Sequence, residues 1–250
     1  MLNDFYKGST YALRGFLDMF QPGVKRYVYV PLLINVLVFG IIFYFGSHYI
    51  IEKSDFQFLH TLPKWLAWAS GLIFALKKLL VALIIILLFA LCAIVSTFCA
   101  NIIGAPFNGL LSDAYATKQG INIPSRTLFN TMGAALLREL KKYLYYIPRA
   151  LGVGLVAMIL FFIPVLNLAL PILFYGFTSA MMAIEYIDYP ADSQHVAFSD
   201  LLQKKKEHPW LFLGFGLTVA MLSTIPILNL FVMPAAVVGA TRLWHENHKI

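Results

Sequence analysis

The segment Gln21-Pro22-Gly23-Val24-Lys25-Arg26 carries the features needed to hold a tetrahedral oxyanion. Proline followed by a long apolar run marks a helix N-terminus. The backbone N–H groups of Gly23, Val24 and Lys25 at such a start have no partner inside the helix, and they carry about half a positive charge through the helix dipole. Lys25 and Arg26 add their full charges in the same turn, and Gly23 lets an anion approach the backbone closely. A simpler role suits the same residues: Lys25 and Arg26 anchor the helix to anionic lipid. On these residues alone, anchoring is the reading to prefer.

Other polar groups fall at or near membrane depth, where they are costly and often functional. They are Asn35, Asn101, Asn108, Glu185, Asp188 and Arg242. Glu185 and Asp188 stand three apart and face the same way on a helix, so they suit an acid pair, a metal site or a salt bridge to Arg242 or another basic side chain. The salt bridge is the plainest of the three. His245 and His248 near the tail are weak as metal ligands. Cys92 and Cys99 share a helix face about 10 Å apart, too far for a disulfide, and read as small hydrophobes. A phosphate loop of the G-x-x-x-x-G-K type, an H-E-x-x-H zinc helix and a G-x-S-x-G elbow are all missing from the sequence. The expectation is therefore no catalytic residue, no metal and no cofactor: not an enzyme. Dispersed basic residues argue against nucleic acid.

The elements that must position these residues are membrane helices. Sixty per cent of the 250 residues are hydrophobic and only 12% are charged. A soluble domain has about 25% charged residues. The composition predicts an all-α integral membrane protein in a single membrane domain over 1–250. Residues 1–27 form an interfacial leader, with Phe5, Leu13, Phe16, Leu17 and Phe20 as its apolar stripe. The leader lacks the form of a secretory signal, so the first apolar run reads as an uncleaved anchor. Residues 28–51 and 79–103 are two transmembrane helices, the second starting as early as Lys64, which would carry Lys77 and Lys78 into the helix. Residues 104–146 hold two amphipathic helices, 104–118 and 125–146. Residues 147–184 and 209–243 are two helical hairpins, each broken at a copy of I-P-[VI]-L-N-L, at Pro164–Asn167 and Pro226–Asn229. Such hairpins either cross the bilayer or dip in and return. Fifteen of the nineteen Lys and Arg residues fall on one predicted face, the cytoplasmic one. Arg138, Lys141, Lys142 and Lys204–Lys206 read as headgroup contacts or solvated faces.

Four motifs in register extend the reading. QPGVKRYVYVPLLIN (Gln21–Asn35), NIIGAPFNGLLSD (Asn101–Asp113), EYIDYPADSQHVAF (Glu185–Phe198) and IPILNLFVMPAAVVGAT (Ile225–Thr241) resemble the CysZ-type sulfate permeases of bacterial inner membranes, over nearly the whole chain. Lys25 stands where a second arginine is expected, and Ser112-Asp113 where alanine and glutamate are common. The resemblance implies ATP-independent sulfate uptake that supplies cysteine synthesis. It also implies two long membrane helices, two partly penetrating hairpins, and dimers or larger homo-oligomers in contact with membrane lipid.

On the same grounds the Gly23, Val24, Lys25 and Arg26 turn becomes a sulfate site, and Asn35, Asn101, Asn108, Glu185, Asp188 and Arg242 become pathway candidates. A non-transporting scaffold that remodels lipid is the rival from another class. A membrane-embedded enzyme built on Glu185 and Asp188 is the more remote one.

Overall fold

The computed structural model describes residues 1–53, 70–123 and 128–247; side chains are described for these except at 96–106, 128–136, 226 and 227. The expected starts at Lys64 and Ser125, and His248, lie outside the described residues. Within them the chain is all-α, with no strand. The order is α1 (Leu2–Asp18), α2 (Lys25–Lys53), α3 (Ser70–Lys118), α4 (Leu128–Phe161), a 3-10 turn (Leu166–Ala169), α5 (Leu170–Ser193), α6 (Phe198–Glu207), α7 (Pro209–Ser223) and α8 (Pro226–Asn247). Helix is the expected answer to this composition, because in lipid every backbone polar group must be satisfied within its own segment.

Four stretches are long and apolar enough to cross a bilayer: Lys25–Lys53, Ser70–Val95, Leu137–Phe161 and Leu166–Ser193. The first contains the expected span 28–51 and the second covers 79–95 of the expected 79–103, with Lys77 half-buried and Lys78 exposed in the second. The other two are the arms of the first hairpin, longer than the sequence suggested. The second hairpin is different. Its α7 has 15 residues, a length of about 22 Å against a hydrocarbon core of about 30 Å.

Several expected boundaries are absent. α3 runs unbroken for 49 residues through Gly104 and Pro106, and α4 runs for 34 residues through Pro148. A proline inside a helix loses one hydrogen bond, whereas ending the helix strands four carbonyls; in apolar surroundings continuing is the cheaper choice. The repeated I-P-[VI]-L-N-L motif also folds two ways. In the first copy Pro164 lies in the turn, Val165 takes φ +72°, and Asn167 sits in the 3-10 turn. In the second copy Pro226 begins α8, and the Asn229 N–H donates to the Ile225 carbonyl inside the helix (2.8 Å). Each helix starts at a proline pre-set for its first turn, Pro171 for α5 and Pro226 for α8, so the motif is offset by about two helical turns between copies.

The chain divides into two compact units, residues 31–104 and residues 1–30 with 105–250. In the smaller unit, α2 and α3 meet through Phe39, Phe43 and Phe89, whose rings pack edge to face at 5.3 and 5.5 Å. The larger unit contains the buried core, built from α1, the second half of α5, α7 and α8. The α1 face that is buried is Gly8, Tyr11, Ala12 and Gly15. Of the apolar stripe, Leu13, Leu17 and Phe20 are exposed, while Phe5 and Phe16 are half-buried and Phe16 packs against the core. Small residues win because they allow backbone-to-backbone approach. A Cβ on Gly8 would strike the Leu211 carbonyl, one on Gly15 the Ala235 carbonyl, and one on Gly214 the Phe5 carbonyl. Gly216 meets Ser179 of α5 in the same way, and Gly239 meets Tyr11.

These contacts predict opposite outcomes for two glycine substitutions. Gly15→Ala should destabilise the detergent-solubilised protein by about 1–3 kcal/mol through overpacking. Gly40→Ala, where an added Cβ meets nothing within 4 Å, should be neutral or stabilising by up to about 1 kcal/mol. Thermal melting of both variants checks this.

Candidate functional site

The Gly23 turn is placed by what precedes it. Seating α1 brings its last residue, Asp18, against two other elements. Its carboxylate accepts from Tyr115 Oη on α3 (2.8 Å), Arg242 Nη1 on α8 (3.0 Å) and Gln21 Nε2 (2.9 Å). Met19, Val24 and Val28 are buried on either side of the turn. Gly23 takes φ +89°, and an added Cβ there would meet nothing within 4 Å. Glycine is required here by the backbone angle, and the space beside it is open.

The turn satisfies more of its own donors than the sequence suggested. The Gln21 carbonyl accepts from both the Val24 N–H (3.1 Å) and the Lys25 N–H (3.2 Å). Val24 is thus an anchor, with its side chain in the core and its N–H committed. Among the described bonds, the N–H groups of Gly23 and Arg26 have no backbone acceptor. The side chains of Lys25 and Arg26 are exposed. Arg26 Nη2 donates to Tyr27 Oη (2.9 Å), with the guanidinium 4.7 Å from that ring's centroid. Lys118, from the end of α3, donates to the Pro22 carbonyl (3.1 Å) and brings another cation to the turn. None of Lys25, Arg26 and Lys118 meets a carboxylate in a described ion pair.

A second polar assembly lies between α4 and α5. Arg138 grips Asp188 through Nε (2.9 and 3.0 Å) and Nη2 (2.6 Å), and its Nη1 reaches Asp192 (2.9 Å) and the Val196 carbonyl (2.8 Å). Lys142, only 1% exposed, pairs with Glu139 (2.5 Å), Glu185 (3.0 Å) and Asp188 (3.6 Å). Tyr146 donates to Glu185 (3.2 Å). Tyr189 Oη accepts from Asn108 Nδ2 (3.3 Å) and donates to Glu185 (3.4 Å). Arg138 and Lys142 are therefore neither headgroup contacts nor solvated faces. Fixed in this way, the network joins α4 to α5 and satisfies every charge it buries. Its cations, Arg138 and Lys142, face four carboxylates, so it repels rather than attracts an anion.

The structure thus brings Asn108, Glu185 and Asp188 into one assembly, and places Arg242 in another with Asp18 and Glu246. Asn35 is half-buried on α2 in the smaller unit, and the Asn101 side chain lies outside the described ones. Arg138, Glu139, Lys142 and Asp192 were not singled out as site residues. Their signal was present: 138 and 142 stand four apart, and 185, 188 and 192 stand three and four apart, so each set forms one helix stripe. Among the described residues no cluster of three or more metal-ligating side chains occurs; His245 Nδ1 lies 3.1 Å from Gln194 Nε2.

Around Glu246 the charges are near the surface. Tyr11 Oη donates to Glu246 (2.7 Å) and Arg242 Nε does the same (2.8 Å). Burial and this bond push the Tyr11 phenol up to about 12. Burial raises Glu246, but the bonds from Tyr11 and Arg242 outweigh it and hold the carboxyl below its usual range.

Each of these two assemblies generates a stability prediction. Asp188→Ala leaves Arg138 and Lys142 with a buried imbalance and should cost about 3–5 kcal/mol, while Lys141→Ala on the exposed face should change stability by less than about 0.5 kcal/mol; denaturation in detergent reads both. For Glu246 the folded pKa is depressed, so its contribution is complete above the unfolded value of about 4.3 and is lost as pH falls through the folded one. The stability gap between wild type and Glu246→Gln should be largest near neutrality and shrink as pH falls below about 4.

Comparison with known proteins matches the family model described as "Sulfate transporter CysZ/Etoposide-induced protein 2.4" over residues 11–234. A relative from Vibrio parahaemolyticus named "Sulfate transporter CysZ" is 38% identical over 248 residues, covering 97% of this chain and 95% of the relative. Proteins of the same name from Pectobacterium atrosepticum (35% identical, 97% of this chain and 86% of the relative) and Vibrio cholerae (36%, 97% and 94%) are similar to it. With both the family model and relatives of this identity covering most of its length, the chain belongs to the sulfate transporter CysZ/etoposide-induced protein 2.4 family.

Proposed function

We propose that this membrane protein carries sulfate across the bacterial inner membrane without ATP hydrolysis, supplying sulfur for cysteine synthesis. One observation carries the reading. In the larger unit Arg138, Lys142 and Arg242 each pair with carboxylates, whereas Lys25, Arg26 and Lys118 gather at the Gly23 turn with none. Unpaired cations beside free N–H groups favour a dianion, which low dielectric otherwise rejects strongly. Sulfate would be held by the N–H groups of Gly23 and Arg26 and by the side chains of Lys25, Arg26 and Lys118, with Val24 fixing the turn from the core.

The pathway candidates divide on the same logic. Asn35 and Asn101 offer neutral donors to a partly hydrated anion, whereas Asn108 is tied to Tyr189 in the acidic network. Glu185, Asp188 and Arg242 act as positioning groups, because carboxylates facing the route oppose a dianion and Arg242 is occupied by Asp18 and Glu246. The exposed apolar faces of α2, α3, α4 and α5 belong to lipid and to a second copy of the chain, as a homo-oligomer.

The test is flux of radiolabelled sulfate into proteoliposomes that contain no ATP. Uptake should exceed that of empty vesicles, and Arg26→Ala should weaken apparent sulfate affinity by about tenfold or more, the loss expected for a charge-assisted hydrogen bond. Wild-type flux equal to that of empty vesicles would overturn transport and favour the scaffold role.

A further inference from the structure

α4, α5 and α6 enclose a groove of about 380 Å³ that the sulfate reading does not use. Its floor comes from Gly152, Val153 and Val156 of α4 and its far wall from Leu173, Phe177 and Met181 of α5. Its polar end is formed by Arg149 and Lys205. From Arg149 to Val156 the groove follows two turns of helix, about 11 Å. Gly152 leaves its part of the groove open. A Cβ there would meet nothing within 4 Å, so no neighbouring backbone requires glycine, although glycine in a helix interior costs about 1 kcal/mol relative to alanine.

The polar end has an unusual charge arrangement. Arg149 donates to the Tyr145 carbonyl (2.8 Å) and stacks on the Tyr145 ring at 3.5 Å. Neither it nor Lys205 has a carboxylate among the described ion pairs. Lys205 is half-buried, and its ammonium is pushed below the usual lysine range first by burial and then by the guanidinium of Arg149. Two cations lining the same end of an apolar groove favour an anion there. Its neighbours in the basic run behave differently: Lys204 lies over the Trp244 ring at 5.5 Å, and Lys206 is exposed.

We propose that this groove is a binding site for one anionic phospholipid, with the headgroup phosphate between Arg149 and Lys205 and an acyl chain laid along Gly152 toward the α4–α5 turn. A cationic end continuous with an apolar trough on a membrane helix pair matches both halves of that molecule and of no free anion.

The test is co-purified and titrated lipid, read by native mass spectrometry of the full-length protein in detergent with phosphatidylglycerol or phosphatidylcholine added at equal concentration. Wild type should retain phosphatidylglycerol in preference, and excess inorganic sulfate should not displace it. Arg149→Gln with Lys205→Gln should lower that retention about tenfold or more, and Gly152→Leu, which fills the trough, should lower it with the charges intact. Lys206→Gln should behave as wild type. Equal retention of the two lipids, displacement by sulfate, or undiminished phosphatidylglycerol in either the charge variant or Gly152→Leu would overturn the site. Sulfate flux is a separate readout, so failure here leaves the transport reading standing and the reverse also holds.

Discussion

Helices in lipid gain little from hiding apolar side chains against each other, because lipid tails are as apolar as leucine. What remains is close approach. The larger unit depends on this constraint: Gly8 and Gly15 of α1, Gly214 and Gly216 of α7 and Gly239 of α8 press backbone against backbone. The consequence reaches the candidate site through Asp18. Once α1 is seated, its terminal carboxylate meets Tyr115 and Arg242, and the Met19–Val24 turn has one place to go. The open, positive-φ Gly23 is then presented by a rigid frame and not by a free loop.

The few charges of the chain are used in two distinct ways. Arg138, Lys142 and Arg242 are tied to carboxylates in geometry that holds helices together. Lys25, Arg26 and Lys118 are left without such partners around one exposed turn. With 19 Lys and Arg against 12 Asp and Glu, other cations, Arg149 and Lys205 among them, also lack a described carboxylate, so what distinguishes the turn is that its cations stand beside the N–H groups of Gly23 and Arg26. The acidic α4–α5 network, by contrast, sets four carboxylates against its two cations.

The all-α membrane class, with its long apolar helices, and the helix start after Gly23 were legible in the sequence, since long apolar runs and a Pro-Gly-basic helix start are local features. The continuity of α3 and α4 was not. Gly104, Pro106 and Pro148 are local break signals, and what overrides them is the cost of exposing backbone in apolar surroundings. The leader's apolar stripe was readable from its periodicity, but not its packing face: the small face of Gly8, Ala12 and Gly15 makes the contact, because close approach and not apolar area decides it. The repeated I-P-[VI]-L-N-L motif suggested equal hairpins, yet the position of the helix-starting proline, Pro171 in one and Pro226 in the other, gives each copy its own conformation. The buried network was readable as stripes on two helices, but only their pairing shows that Arg138 and Lys142 face inward.

A dianion resting at the Gly23 turn can be located directly. Selenate has the shape and charge of sulfate and can be located by its anomalous scattering in crystals of the purified protein. A selenium peak is expected within hydrogen-bonding reach of the Gly23 N–H and the Arg26 guanidinium, absent in Arg26→Ala. A peak among Arg138, Lys142 and Asp188, or one at the turn that survives Arg26→Ala undiminished, would contradict it.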